Sequence, residues 1–217
     1  MLIREKILDL FFPRQCLGCN KDNELVCSDC LKKIKINPDI SNSYFVTDYT
    51  DGVWVISDFN DPLLQKIIYH FKYRFVRELG LSLEIILEQY LTRLILNQAL
   101  PKIDLVVPMP ISKKRLLFRG FNQADMLAAT VARQADINFE NNILIRKNRE
   151  PQVGNDALER RQNIKNVFSL IDAQAVKGKR VLVIDDVLTT GSTIDELSRV
   201  LKQAGAKRVW ALVIAKN

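Results

Sequence analysis

One stretch constrains this chain more than any other: Val181-Leu182-Val183-Ile184-Asp185-Asp186-Val187-Leu188-Thr189-Thr190-Gly191-Ser192-Thr193. Four consecutive apolar residues, Val181 to Ile184, read as a fully buried strand. Residues 192–204 read as a helix with Ile194, Leu197, Leu201 and Ala204 on its inner face, ended by Gly205. In open α/β sheets, ligands sit at the carboxyl ends of strands. A helix N-terminus there presents unpaired amides and the positive end of a dipole. Thr189–Thr193 is able to wrap a phosphate with backbone N–H groups and to add hydroxyl donors, and Gly191 allows close approach. Asp185 and Asp186 would repel that phosphate, so they suit neighbouring sugar hydroxyls or a Mg2+ shared with a pyrophosphate. An ordinary capped helix needs one Asp, Ser or Thr; this run carries more.

The surrounding grammar agrees with a sheet of parallel strands. Ile103–Val107 is an apolar strand ended by Pro108-Met109-Pro110, and helix 121–134 places Ala124, Leu127, Ala128, Val131 and Ala132 on one face. Strand 142–146 follows, then a polar, poorly periodic loop over 147–165, and Val209–Ala215 is the final strand. Upstream, residues 1–12 read as a short amphipathic helix and 36–43 as a linker. Tyr44–Tyr49 and Val53–Phe59, joined by Thr-Asp-Gly, predict a hairpin. Asp61-Pro62 opens a helix whose apolar face holds Leu63, Leu64, Ile67, Ile68 and Phe71, and a second helix covers 76–97. The expected organisation is a small module over 1–40, a hairpin-and-helix connector or hood over 41–100, and an α/β core over 101–217.

All four cysteines lie in the first 30 residues, as Cys16-x2-Cys19 and Cys27-x2-Cys30 separated by seven residues. Two such knuckles complete a tetrahedral S4 shell that suits Zn2+. Two disulfides are the alternative, which a reducing cytosol disfavours. Four thiolates close the shell and exclude a catalytic water, so the metal is expected to be structural.

No stretch approaches the roughly 18 apolar residues that span a bilayer. Charges interrupt the first twelve residues and no small-residue cleavage site follows, so membrane insertion and secretion are not expected and the cytoplasm is. The formal net charge of +7 attracts phosphates or merely keeps the surface solvated. Ser112, Lys113, Lys114, Arg115 and Arg119 follow a strand end, where four cations within seven residues could neutralise a pyrophosphate; a solvated basic loop is the plainer reading. Lys72 and Arg74 read as a snorkelling surface pair, and His70 as a surface or packing residue.

The run from Val181 to Thr193 resembles, at every position, the signature of type I phosphoribosyltransferases that bind 5-phosphoribosyl-1-pyrophosphate (PRPP). The resemblance implies a Rossmann-like α/β core in which Asp185 and Asp186 hold the ribose 2′- and 3′-hydroxyls and act at the catalytic centre. The loop continuing through Val187 and Leu188, from Thr189 to Thr193, takes the 5′-phosphate, and Mg2+ rides with the pyrophosphate. Met109, Pro110, Ile111, Ser112 and Lys113 stand where the family has its pyrophosphate-binding loop, with Arg119 beside it. A mobile lid would contain Gln152, Arg160, Arg161 and Asn163. The implied chemistry is dissociative displacement at the anomeric carbon, to which a protein contributes positioning, charge stabilisation and water exclusion.

A longer series is more telling still. The cysteine knuckles, Phe71-Lys72-Tyr73, Val107-Pro108-Met109-Pro110, Arg119-Gly120-Phe121-Asn122-Gln123, Pro151-Gln152, Arg160-x-x-Asn163, Phe168 and Asp185 to Gly191 occur in the order of the ComF family (ComFC/GntX-like) of competence proteins. That resemblance implies an N-terminal zinc finger, a phosphoribosyltransferase domain and a role in natural transformation, on internalised single-stranded DNA. Its implied partners are PRPP, single-stranded DNA and a competence helicase, the last encoded by no motif. Asn155 stands where the family commonly has Leu, and Asn166 where Gly is common. Two other functions compete. A nucleobase-salvage transferase needs a base-binding hood, and with seven residues after Trp210 the hood would come from 44–100. A non-catalytic single-stranded DNA module would use Trp54, Tyr69, Phe71 and Tyr73 beside Lys66, Lys72 and Arg74, although Phe71 also fits the apolar face of its helix.

Overall fold

The computed structural model describes residues 14–41, 46–147 and 166–217. In chain order they form α1 (Ser28–Leu31), β1 (Gly52–Asp58), α2 (Pro62–Tyr73), α3 (Leu79–Leu96), β2 (Leu105–Pro108), α4 (Lys113–Arg119), α5 (Gln123–Ala135), β3 (Asn138–Phe139), β4 (Leu144–Arg146), β5 (Phe168–Leu170), β6 (Arg180–Leu188), α6 (Ser192–Gln203) and β7 (Arg208–Lys216). Five strands make one sheet in the order β1-β7-β6-β2-β3, and every neighbouring pair is parallel.

Alternation along each strand sends successive side chains to opposite faces. Trp54, Ile56, Val106, Leu182, Ile184, Leu212 and Ile214 meet α2, α3 and α5 on one face. Val53, Val55, Leu105, Val107, Val181, Val183 and Val213 meet α6 on the other, through Ile194, Leu197 and Leu201. Full burial of such side chains contributes about 1.5–3 kcal/mol each. Asp61 caps α2 as its position predicts, with Oδ1 accepting from the amides of Leu63 and Leu64 at 2.9 Å.

The connections set the place of a ligand. From β2 the chain passes through α4 and α5 to β3 on one side; from β6 it passes through α6 to β7 on the other. The carboxyl ends of β2 and β6 therefore part at a topological switch point, where doubly wound sheets open a crevice. Pairing of β6 with β2 stops at Pro108 and Ile184, whereas pairing with β7 runs on to Leu188 and Lys216. So β6 does not end at Ile184: the acid pair lies within the strand, with a neighbour on one side and the crevice on the other.

Three expectations need correction. Val53–Phe59 does contain a strand, but β1 pairs in parallel with β7, and residues 46–49, the described part of the expected partner, are not strand. All positions of β1 except the last are buried, which suits a sheet covered on both faces rather than a half-exposed hairpin. Residues 142–146 do not continue the parallel series; β4 pairs antiparallel with β5 in a separate ribbon. The basic stretch after Ser112 is not a loop but α4, capped by Ser112, whose hydroxyl accepts from the Arg115 amide, and ended by Gly120 at φ 79°.

The linker is also tied down. Ile36 bridges Ser57, the Asn37 amide donates to Ile56 O at 2.7 Å, and Tyr90 Oη donates to Asp39 O at 2.7 Å. One apolar cluster joins Trp54, Phe71 and Tyr90 to Val131, Leu182 and Ile214, so residues from the expected connector and core segments share it. The segment expected to form a helix over 1–12 lies outside the described residues.

Candidate functional site

A cleft of about 250 Å3 occupies the switch point. Asp185, Asp186 and Val187 reach it from β6 and Thr193 from the start of α6; Met109 and Ile111 line it from the loop after β2. Arg115 and Arg119 enter from α4, Asn122 and Gln123 from the mouth of α5, Arg146 from the end of β4, and Lys72 and Tyr73 from the end of α2.

Asp186 is 8 % exposed, and its Oδ1 lies 2.7 Å from Lys72 Nζ. Asp185 Oδ1 accepts from the amide of Asp186 at 2.8 Å. Burial, and then the charge of Asp186, push the Asp185 carboxyl up to about 7, against the opposing pull of Lys72. Lys72 is thus a component of the site and not a surface snorkel. The sequence placed it in a motif but offered no sign that the end of α2 faces the end of β6.

At the mouth of α6, Gly191 adopts φ 77°, a left-handed conformation that glycine takes without strain; as the N-cap residue it offers no side chain, and Thr190 Oγ1 accepts from the Ser192 amide at a long 3.5 Å. Thr190 Oγ1 and Ser192 Oγ are 2.8 Å apart, and Thr189 and Thr190 are exposed. Leu188 is 3 % exposed and belongs to the core below the turn. The turn Thr189–Ser192 therefore carries amides and hydroxyls at the strand's carboxyl end, the arrangement a phosphate needs.

The cations divide. Arg119 Nη1 donates to Gln123 Oε1. Burial lowers the pKa of Arg119, and Asp186 counters it. Arg146 lies with its guanidinium 5.4 Å from the Phe168 ring centroid, and burial followed by repulsion from Arg115 lowers its pKa. Lys113 and Lys114 are exposed on α4 and do not line the cleft; nor do Pro110 and Ser112. Of the aromatic residues considered for nucleic acid, Trp54 and Phe71 are fully buried, and Trp54 Nε1 donates to Ile40 O at 3.0 Å. Tyr69 and Tyr73 are 50 % and 59 % exposed. The proposed lid residues Gln152, Arg160, Arg161 and Asn163 lie outside the described residues. Sequence reasoning missed Tyr73 as a lining residue, and it quoted Asn122 and Gln123 without giving them a role.

The cysteines form a second site. One ligand atom from each of Cys16, Cys19, Cys27 and Cys30 lies within 4.8 Å of the others, and Cys19 Sγ and Cys27 Sγ are 3.6 Å apart. A tetrahedral thiolate shell with Zn–S bonds of ~2.3 Å spaces its sulfurs by about 3.8 Å, so the cluster can hold a metal such as zinc. Burial disfavours the Cys16 thiolate, but hydrogen bonds from the amides of Cys27, Cys19 and Gly18 outweigh it and bring its pKa to about 6. Gly18 is required by close approach: a Cβ there would meet Cys30 Sγ at 2.7 Å. The module rests on α2, where Lys66 Nζ donates to Leu17 O at 3.2 Å.

Residues 123–217 match the phosphoribosyl transferase domain family. The chain is 31% identical over 94% of its length to competence protein F of Haemophilus influenzae (strain ATCC 51907 / DSM 11121 / KW20 / Rd), 99% of which is covered. It is 30% identical to DNA utilization protein YhgH of Escherichia coli (strain K12), over 88% of this chain and 78% of that one. It is 36% identical to competence protein ComFC of Bacillus subtilis (strain 168), over 46% of this chain and 39% of that one.

Proposed function

From the premise that the chain belongs to the ComF family of competence proteins and carries a parallel-sheet α/β fold of the phosphoribosyltransferase type, we propose that it binds PRPP with Mg2+ and serves the handling of internalised single-stranded DNA in natural transformation. The observation that carries the reading is the acid pair Asp185 and Asp186 on β6, beside the glycine-opened mouth of α6, at the switch point of the sheet.

In this reading Asp185 and Asp186 accept hydrogen bonds from the ribose hydroxyls, and the amides of Thr189 to Thr193 hold the 5′-phosphate. Arg115, Arg119 and Arg146 face the pyrophosphate, whose charge Mg2+ shares when bound. Burial strengthens these interactions by removing competing water. Lys72 holds the Asp186 carboxylate in place from the end of α2, with its Nζ 2.7 Å from Oδ1. Zinc held by the four cysteines would be structural, organising a segment too short to build a core. The cytoplasm, being reducing, keeps those thiols available, and no helix among the described residues is long and apolar enough to cross a membrane. Exposed Tyr69 and Tyr73 next to a cation-lined cleft offer stacking faces and charge for a single strand.

The test is genetic. Deleting the gene in a competent host is expected to lower transformation. The wild-type chain is expected to restore it, and the Asp185→Ala plus Asp186→Ala chain is not. Unchanged transformation after deletion contradicts the role in DNA handling, and full rescue by the double variant contradicts the place of PRPP in it.

A further inference from the structure

We infer that the outer face of α4 and the end of α2 form a platform for single-stranded DNA outside the cleft, where bases stack on Phe118, Phe75, Tyr73 and Tyr69 while PRPP occupies the cleft. The inference deepens the single-strand part of the proposed function and rests on it. α4 buries none of its residues, and Leu117 and Phe118 are 76 % and 78 % exposed. Leu116, Leu117, Phe118 and Phe75 belong to neither of the apolar clusters that cover the sheet, so core packing does not account for them. The Phe118 ring stands edge-on to Phe75 at 5.2 Å, and the rings of Tyr69 and Tyr73 lie 5.3 Å apart. Tyr73 and Phe75 are two residues apart in the chain, so the ring pairs adjoin, and of the four rings Tyr73 alone lines the cleft. Phe75 adopts φ 58° just after α2, where glycine ordinarily ends a helix. A bulky residue is strained in that conformation, and this one leaves its ring half-buried beside α4.

Charge selects the occupant. Residues 62–77 and 105–124 together hold eight Lys and Arg and no Asp or Glu. The whole chain carries a net +7, so the rest of it is near neutral. The fold brings the two segments together: besides the Phe75–Phe118 contact, Phe71 and Phe121 have ring centroids 5.4 Å apart, and the Arg77 guanidinium lies 5.8 Å from the Phe121 centroid. Arg74, Arg77, Lys113 and Lys114 are exposed in these segments and do not line the cleft. The buried centre of a protein–protein interface is depleted of charge. Rings interleaved with cations match a polymer of bases and phosphates instead, since every base has a face to stack and every phosphate a charge. Pairing hides those faces in a duplex, so the partner is single-stranded. The platform lies outside the cleft, so the strand and PRPP bind together.

Fluorescence anisotropy of the full chain with a labelled single strand of about 20 nucleotides tests this, beside an abasic strand of equal length and the duplex. Phe118→Ala removes an exposed ring, and Phe75→Gly removes its neighbour while relieving the left-handed backbone. Thermal melting reports on their structure. Each folded variant is expected to lose roughly 5- to 150-fold in affinity for the single strand, the range for one stacked aromatic residue. Calorimetric PRPP affinity is expected to stay the same. Arg74→Ala combined with Lys113→Ala is expected to lower the slope of log affinity against log salt by about 1.4, for two phosphate contacts. In the wild-type chain the abasic strand and the duplex are expected to bind more weakly than the single strand, a comparison that needs no variant. Unchanged single-strand affinity in either folded ring variant overturns the inference and leaves the DNA-handling reading intact. If sedimentation shows a wild-type dimer that Phe118→Ala dissociates with strand affinity unchanged, the face belongs to a second copy of the chain. Abasic or duplex binding as tight as the single strand also overturns the inference, as does displacement of the strand by PRPP with Mg2+. A wild-type chain that binds no single strand overturns the DNA part of the proposed function itself.

Discussion

Lys72 Nζ lies 2.7 Å from Asp186 Oδ1, an ion pair that joins the end of α2 to β6 at the cleft. The two side chains are 19 % and 11 % exposed, so the pair is largely withdrawn from water. Removing one partner strands a charge in such a place. Lys72→Met is therefore expected to destabilise the free protein by about 1–3 kcal/mol near pH 8. Lys72→Met combined with Asp186→Asn should recover part of that loss. Urea denaturation of the two single variants and the double variant measures the coupling, and additive effects would mean that the pair does not link α2 to β6 energetically.

Asp185 is expected to weaken the ligand-free fold. Burial, and then repulsion from Asp186, raise its pKa to about 7 in the folded chain, above the ~3.9 of an ordinary Asp. The folded state thus holds this proton more tightly than the unfolded chain. The resulting stability is fully present below about pH 4 and is lost as pH rises to 7. Asp185→Asn, which keeps the shape and never ionises, should be about 1–2 kcal/mol more stable than wild type at pH 8 and near parity at pH 4. Denaturant titrations at both pH values without ligand check it; a variant no more stable at pH 8 speaks against the raised pKa.

Metal removal should act locally. The cysteine cluster is a separate small apolar group from the two that cover the sheet. Chelation is expected to expose the amides of residues 16–30 to hydrogen exchange while β6 and β7 stay protected. Gly18→Ala brings a Cβ to 2.7 Å from Cys30 Sγ and should weaken metal binding by roughly tenfold or more. Exchange spreading at once through the sheet would show that the module supports the core.

Gly191→Ala places a Cβ at φ 77°, which should destabilise the fold by about 1 kcal/mol. It should also lower PRPP affinity, because the turn holding the 5′-phosphate must shift. Unchanged affinity in the folded variant would separate Gly191 from the phosphate site.

How much of this was legible in the sequence varies with the range of the interaction. The β6–α6 unit and the cysteine cluster were, since each is written in contiguous residues: apolar run, acids, hydroxyls, amphipathic helix, and paired knuckles. Pairing was not. Val53 to Ile56 suit a hairpin or a sheet interior equally, and nothing local says that β7, far along the chain, lies beside β1. α4 buries none of its residues, so it lacks the periodic apolar face by which helices are recognised; Ser112 before it and Gly120 after it were the available signals. Lys72 follows the general rule for long cations at helix ends until the fold brings Asp186 to it. Asn166, at a position where the family resemblance leads one to expect Gly, adopts φ 62°, a left-handed conformation that Asn tolerates better than most residues. That departure therefore respects the backbone.

The central claim is that Asp185 and Asp186 hold a sugar whose 5′-phosphate sits at the mouth of α6. Calorimetric titration of PRPP with Mg2+ into the wild-type chain and into Asp185→Ala plus Asp186→Ala addresses it most directly. Saturable binding by the wild type and none by the folded double variant is the expected result, whereas equal affinities in the two chains would contradict the assignment.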